Sequence, residues 1–398
     1  MKLRPSWAFR RFLFFSLAIV VLVVPFGHTQ TYSVVYNFTG GADGGDSTAG
    51  LVSLSGNFYG TTTQGGASGN GVVFKITPTG EESVVYSFTG GADGGTPDSG
   101  LRAYGGNLYG TTSAGGASGA GTVFRVSPAG KEVVLYSFTG GFDGSSPQCN
   151  LVNDSAGNLY GTTFSGGANG NGTVFELVRP TVTGGAWTEK VLYSFRAAPD
   201  GANPVAGVSF DKAGHLYGTT SVGGAYNYGT VFQLAHSSSG WTEKILHQFQ
   251  LQNDGGTPWA GVVVDASGSV YGATTQGGWG ADGGGTVFKL SPSRSTWTFT
   301  VLDILSGWGI SGTERNFVLK GGKIFATTHC DGTDVAGTVY ELSPSGSSWT
   351  YTELYSFTGG SDGLYAVSTP LFDKQDNLWG TTRYGGQYGW GVVFKIQP

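Results

Sequence analysis

The tetrapeptide Tyr-Gly-Thr-Thr recurs along this chain, starting at Tyr59, Tyr109, Tyr160 and Tyr217. It returns in altered form at Tyr271, as Phe325-Ala326-Thr327-Thr328 and as Trp379-Gly380-Thr381-Thr382. Successive copies lie 50, 51, 57, 54, 54 and 54 residues apart. A fixed period near fifty means that each unit is one supersecondary element burying its faces on its neighbours. Seven such units form one body, although 398 residues would otherwise suggest two or three domains. Glycine supplies 72 residues and charged side chains only 12%, a balance that alone suggests disorder. The 14% aromatic content, set in regular apolar runs, argues for a packed β-protein instead.

The third unit shows how a repeat is built. Leu151 to Asp154 reads as a short strand closed by a Ser155-Ala156-Gly157-Asn158 turn. Leu159 to Thr163 is a second strand, a glycine-rich loop follows, and Thr173 to Leu177 is a third. Trp187 to Phe195 is the fourth. No window carries a helical period. Four antiparallel strands per fifty residues describe a β-propeller blade. The expected fold is all-β: a seven-bladed β-propeller. The ends support closure. Tyr32 to Phe38 is a fourth-strand sequence with no first three before it, and Gly391 to Ile396 is a third-strand sequence with no fourth after it. Together they complete one blade and leave no open edge. The sixth unit diverges, because Ser306 to Gly312 lacks the Asp-Gly-x-x-Pro lead-in of most other units.

The run Tyr-Gly-Thr-Thr, Gly-Gly-Ala, Gly-Thr-Val-Phe and Val-Leu-Tyr-Ser-Phe-Thr-Gly-Gly-x-Asp-Gly resembles the GloVer (Gloeobacter–Verrucomicrobia) repeat family over residues 32 to 398. The resemblance implies a bacterial exported tandem-repeat protein. It implies no reaction and supplies no catalytic residues.

Residues 1–30 read as a signal peptide or N-terminal anchor, and 31–398 as the propeller. Lys2, Arg4, Arg10 and Arg11 precede an apolar run from Phe12 to Phe26, shorter than the roughly 20 residues of a membrane span. The expected location is therefore secreted, cell-surface or periplasmic, with no membrane span after cleavage. Without these four basic residues the chain holds 17 basic and 26 acidic residues, a net of −9. That balance argues against nucleic acid as a partner. Cys149 and Cys330 stand at non-equivalent positions in repeats three and six, so no bridge between them is expected.

Two loops of each blade emerge on one face: fourth strand to next first strand, and second strand to third. The first carries Asp43, Asp93, Asp143, Asp200, Asp254 and Asp362. Their recurrence favours turn chemistry, in which an Asp side chain bonds its own backbone. Calcium held by this carboxylate ring is the functional alternative, and no other cofactor is indicated. The glycine-rich second loop joins strand to strand and lacks a following Lys-Ser or Lys-Thr, so it is no phosphate cradle. Non-repeated residues are better candidates for a site. Later blades place Tyr226, Tyr228, Trp259, Trp279, Trp308, Tyr365, Tyr384, Tyr388 and Trp390 in these loops. Flat amphipathic side chains on a rim suit sugar rings or protein partners. His329 and Cys330, beside Asp331 and Asp334, are the one His-Cys pair, but neighbours along a strand point to opposite faces. The expected function is an exported, non-enzymatic binding or scaffold propeller whose ligand is a carbohydrate or a protein surface. A polysaccharide hydrolase or lyase with acidic residues near the central channel, and a structural surface protein, are the alternatives.

Overall fold

The computed structural model describes residues 30–397 except 183, 239, 279–282, 295, 307–312 and 314–316. The segment read as a signal or anchor lies outside the described residues but for its last position, and Trp279 and Trp308 lie outside them altogether. Every repeat forms a four-stranded antiparallel sheet with its strands in sequence order, giving seven blades. Blade one, for example, runs Val52–Leu54, Asn57–Thr62, Val72–Ile76 and Glu82–Ser87. The last blade is Leu371–Phe372, Leu378–Thr381 and Val392–Gln397, completed by Thr31–Asn37 from the other end of the chain. That N-terminal strand pairs antiparallel with Val392–Gln397, so the ring closes as the terminal half-motifs require. Tyr32 adds a stack on Tyr355 of blade six, with ring centroids 3.8 Å apart. No helix occurs among the described residues.

The first strands are shorter than the sequence suggests: in blade three only Val152–Asn153 is extended. A further two-stranded ribbon, Gly201–Ala202 with Val222–Gly223, ties the two loops of blade four together. Each fourth strand carries a register shift, as between Val123 and Phe124 in the pairing of blade two. A bulge twists the outermost strand and blunts the outer free edge of the blade.

The repeated tetrapeptide is a packing device. A Cβ on Gly60 would lie 2.5 Å from Cζ of Phe74, so the second strand must be bare where the third-strand Phe lies across it. That Phe is fully buried in six blades, with Tyr340 in its place in blade six. The first Thr stitches blade to blade. Thr61, Thr111, Thr162, Thr219, Thr327 and Thr381 each donate a hydroxyl to a backbone carbonyl of the next blade, at 2.8–3.3 Å. In blade five the position is Ala273, which has no hydroxyl. The second Thr stays within its blade, as when Thr112 accepts from the Thr122 N–H and donates to the Ala114 carbonyl.

Candidate functional site

The loops leading into the first strands converge on the propeller axis. Thr48, Asp98, Gln148, Val205 and Trp259, one from each of five loops, line a single cavity of about 490 Å³. Phe164, Ser221 and Arg383 join them from the position just after the tetrapeptide. A cavity touched by six blades identifies this as the central mouth and the first strands as innermost.

Strained backbone recurs around the mouth. Asp46, Thr96, Ser146, Asn203, Thr257 and Tyr365 occupy one equivalent position and all adopt left-handed φ of 51–60°. A non-glycine residue there costs of order 1–2 kcal/mol. The backbone bonds explain why it persists. Each N–H reaches the second loop of the preceding blade, as from Asp46 to the Trp390 carbonyl, and each carbonyl takes an N–H from its own blade, as from Thr63.

The polar groups of the mouth form a network across the ring closure. Arg383 of blade seven donates Nε to Oδ1 of the buried Asp46 at 2.7 Å. Gln64 donates to the other Asp46 oxygen at 3.1 Å. Burial opposes the Arg383 charge, but the Asp46 bond and the nearby Asp98 hold its pKa above the ordinary value. Thr48 donates to Asp98 at 2.6 Å. Arg383 also lies 5.3 Å from the Tyr384 ring centre, and Tyr384 packs towards Tyr365 at 6.2 Å. Tyr365 also packs edge-on against His329, with centroids 4.2 Å apart. Burial first, then the Cys330 thiol bonded to its hydroxyl, pushes the Tyr365 phenol up. His329 and Cys330 thus both meet Tyr365. Cys149 is a buried thiol in blade three whose sulfur accepts the Thr162 N–H, and burial pushes it up to about 11. Both cysteines are free.

The candidate aromatics fall into three places. Trp259 faces the axial cavity, with Tyr365 and Tyr384 beside Arg383. Tyr228 and Trp390 occupy one repeat position and wedge between blades. A Cβ on Gly40 would lie 2.3 Å from the Trp390 ring, and Gly256 packs on Tyr228. Tyr226 and Tyr388 stand at loop tips, 53% and 52% exposed. Sequence reasoning missed Asp46, Asp98, Gln148 and Arg383. The signal was present: these are the positions where an otherwise regular repeat changes its residue type.

The six loop aspartates lie further out, against the fourth strands. Asp43 accepts from the Tyr36 hydroxyl at 2.9 Å, from the Thr39 N–H at 2.8 Å and from the Thr39 hydroxyl. Asp93, Asp143 and Asp362 repeat the set. Asp200 meets Tyr193 and the Arg196 N–H, and Asp254 meets His247 and the Gln250 N–H. The carboxylates serve their own loops, and no three metal-ligating side chains gather among the described residues. Beside four of them sits a glutamate of the next blade. Glu82, Glu132, Glu189 and Glu243 each bury an unpartnered Oε1. Burial, and then Asp43, Asp93, Asp143 or Asp200 respectively, pushes each up to about 7.

A family model described as the Gloeobacter/Verrucomicrobia repeat matches residues 21–186 and 177–394. No curated protein matches the chain. Among solved structures, the chain is similar to the extracellular domain of a protein described as a one-component system from B. thetaiotaomicron. That likeness has 10% identity and a TM-score of 0.57, covering 92% of this chain but only 40% of the other. A polysaccharide lyase, an ulvan lyase bound to a GlcA–Rha3S unit, is similar at 10% identity and TM-score 0.54, covering 89% of this chain and 94% of the lyase. A protein described as a 6-phosphogluconolactonase from Bacteroides uniformis is similar at 13% identity and TM-score 0.51, with 77% and 83% covered. At such identities the likeness is one of fold.

Proposed function

The chain belongs to the Gloeobacter/Verrucomicrobia repeat family, and on that premise we propose that it is an exported, non-enzymatic propeller that binds carbohydrate at its axial mouth. One observation carries this reading: Trp259 shares a 490 Å³ cavity with Asp98, Gln148, Ser221 and Arg383. An indole face offers a sugar ring apolar contact, while the carboxylate, amide, hydroxyl and guanidinium supply donors and acceptors for sugar hydroxyls. The Asp46–Arg383 pair fixes the guanidinium before any ligand arrives, which lowers the ordering cost of binding. Export is supported by the basic-then-apolar N-terminus and by an extracellular domain among the proteins of similar fold.

The test is titration of residues 31–398 with a panel of bacterial and plant oligosaccharides, read by calorimetry. A panel member should bind, and Trp259→Ala should weaken it at least tenfold, while Trp390→Ala lowers the melting temperature and leaves affinity unchanged. Failure of every glycan to bind, or full affinity in Trp259→Ala, would overturn the axial reading and leave protein partners or a structural role.

A further inference from the structure

A second cleft, of about 960 Å³, opens between blades two and three, away from the axis. Its floor is the outermost strand of blade two, Glu132–Ser137, which contributes Val133 and Leu135. It exists because blade three departs from the repeat. The connection between third and fourth strands spans 77–81 in blade one and 127–131 in blade two, but 179–187 in blade three. The longer connection is anchored where the Arg179 N–H meets Asn158 Oδ1 at 3.0 Å, and it ends at Trp187.

The cleft inverts the charge of the molecule. The chain is net acidic, yet Arg125 and Arg179 both line this one recess. Neither forms an ion pair among the described residues. The equivalents of Arg125 in blades three and six are Glu176 and Glu341, each paired with a lysine of its own sheet. Two guanidinium groups beside a tryptophan and an apolar floor form a recognition surface for planar anions carried on a ring-shaped ligand. A peptide laid along the strand edge fits less well, because the register shift at Leu135 breaks the row of backbone groups it would need.

We propose that this cleft is a second binding site, separate from the axial mouth, for a polysaccharide chain bearing carboxylates. Arg125 and Arg179 hold uronate groups, and Trp187 carries a sugar face. The site does not depend on the axial reading.

The probe is a hexamer of galacturonate, with its fully methyl-esterified form as the uncharged control and dextran sulfate as the alternative anion. The acid form should bind residues 31–398, and binding should weaken as salt rises. Arg125→Gln with Arg179→Gln should lower affinity at least tenfold with the melting temperature unchanged, and Trp187→Ala should lower it as well. Trp259→Ala should leave it untouched. Equal binding of the methyl ester, dextran sulfate bound as tightly, or full affinity in the double variant would overturn the assignment. Loss in Trp259→Ala alone would move the ligand to the axial mouth and overturn it too.

Discussion

Raising the pH from 5 to 8 should destabilise this protein, and four glutamates should supply most of the effect. Glu82, Glu132, Glu189 and Glu243 each place an unpartnered oxygen in a blade junction. Burial, and then the loop aspartate beside it, lifts each from an ordinary 4.5 to about 7. The Tyr36 hydroxyl bond and then Lys75 oppose the lift at Glu82, and Arg196 opposes it at Glu243. A folded-state pKa above the unfolded one means that the folded protein binds more protons across this window, so unfolding free energy falls as pH rises. The contribution is complete below 4.5 and is lost as pH passes through 7. A fully shielded group of this kind would contribute at most about 3 kcal/mol. These are half-buried, and water screens each to roughly 1 kcal/mol, so the four together reach about 4 kcal/mol. For a chain of this length that corresponds to a melting temperature about 5 °C lower at pH 8 than at pH 5. Asp93, Asp265 and Asp373, held below their ordinary values, are ionised throughout the window and add no slope within it. The assay is thermal unfolding of residues 31–398 by circular dichroism in half-unit steps of pH. The variant with all four glutamates changed to glutamine should flatten the profile. A melting temperature that holds or rises between pH 5 and 8 in the parent, or an undiminished slope in the quadruple variant, would refute the reasoning.

Other consequences follow from the packing. Gly60→Ala drives a methyl into the Phe74 ring and should cost about 2 kcal/mol or more, visible as a lower denaturant midpoint. Thr381→Val removes the hydroxyl that reaches Ala49 across the ring closure and orphans that carbonyl, a loss of about 1–2 kcal/mol by chemical denaturation. Deleting Thr31–Asn37 exposes the edge of Val392–Gln397 and removes the Tyr32–Tyr355 stack, so the shortened chain should aggregate in size-exclusion chromatography where the parent does not. Calcium at millimolar concentration should leave the melting temperature unchanged, since the loop carboxylates already accept bonds from Tyr and Thr; a rise of several degrees would point instead to the metal ring.

The sequence by itself determined the blade. Its period, the Gly-against-Phe contact and the paired Thr recur because every blade solves one local packing problem, and local solutions repeat. The terminal half-motifs determined closure for the same reason, since Thr31–Asn37 can be satisfied only by the strand at the other end. The mouth was decided by tertiary structure alone. Thr48, Asp98, Gln148, Val205 and Trp259 stand at one repeat position, about fifty residues apart, where the residue type varies from blade to blade; only curvature of the ring brings them around one axis. Arg383 and Asp46, 337 positions apart, meet solely because the ring closes. The aromatics show the same division. Trp390 and Tyr388 are two residues apart in one loop, yet one wedges between blades and the other points to solvent. Which of them is a platform and which is packing depends on the neighbouring blade, and a blade's neighbour is a property of the closed ring rather than of the repeat.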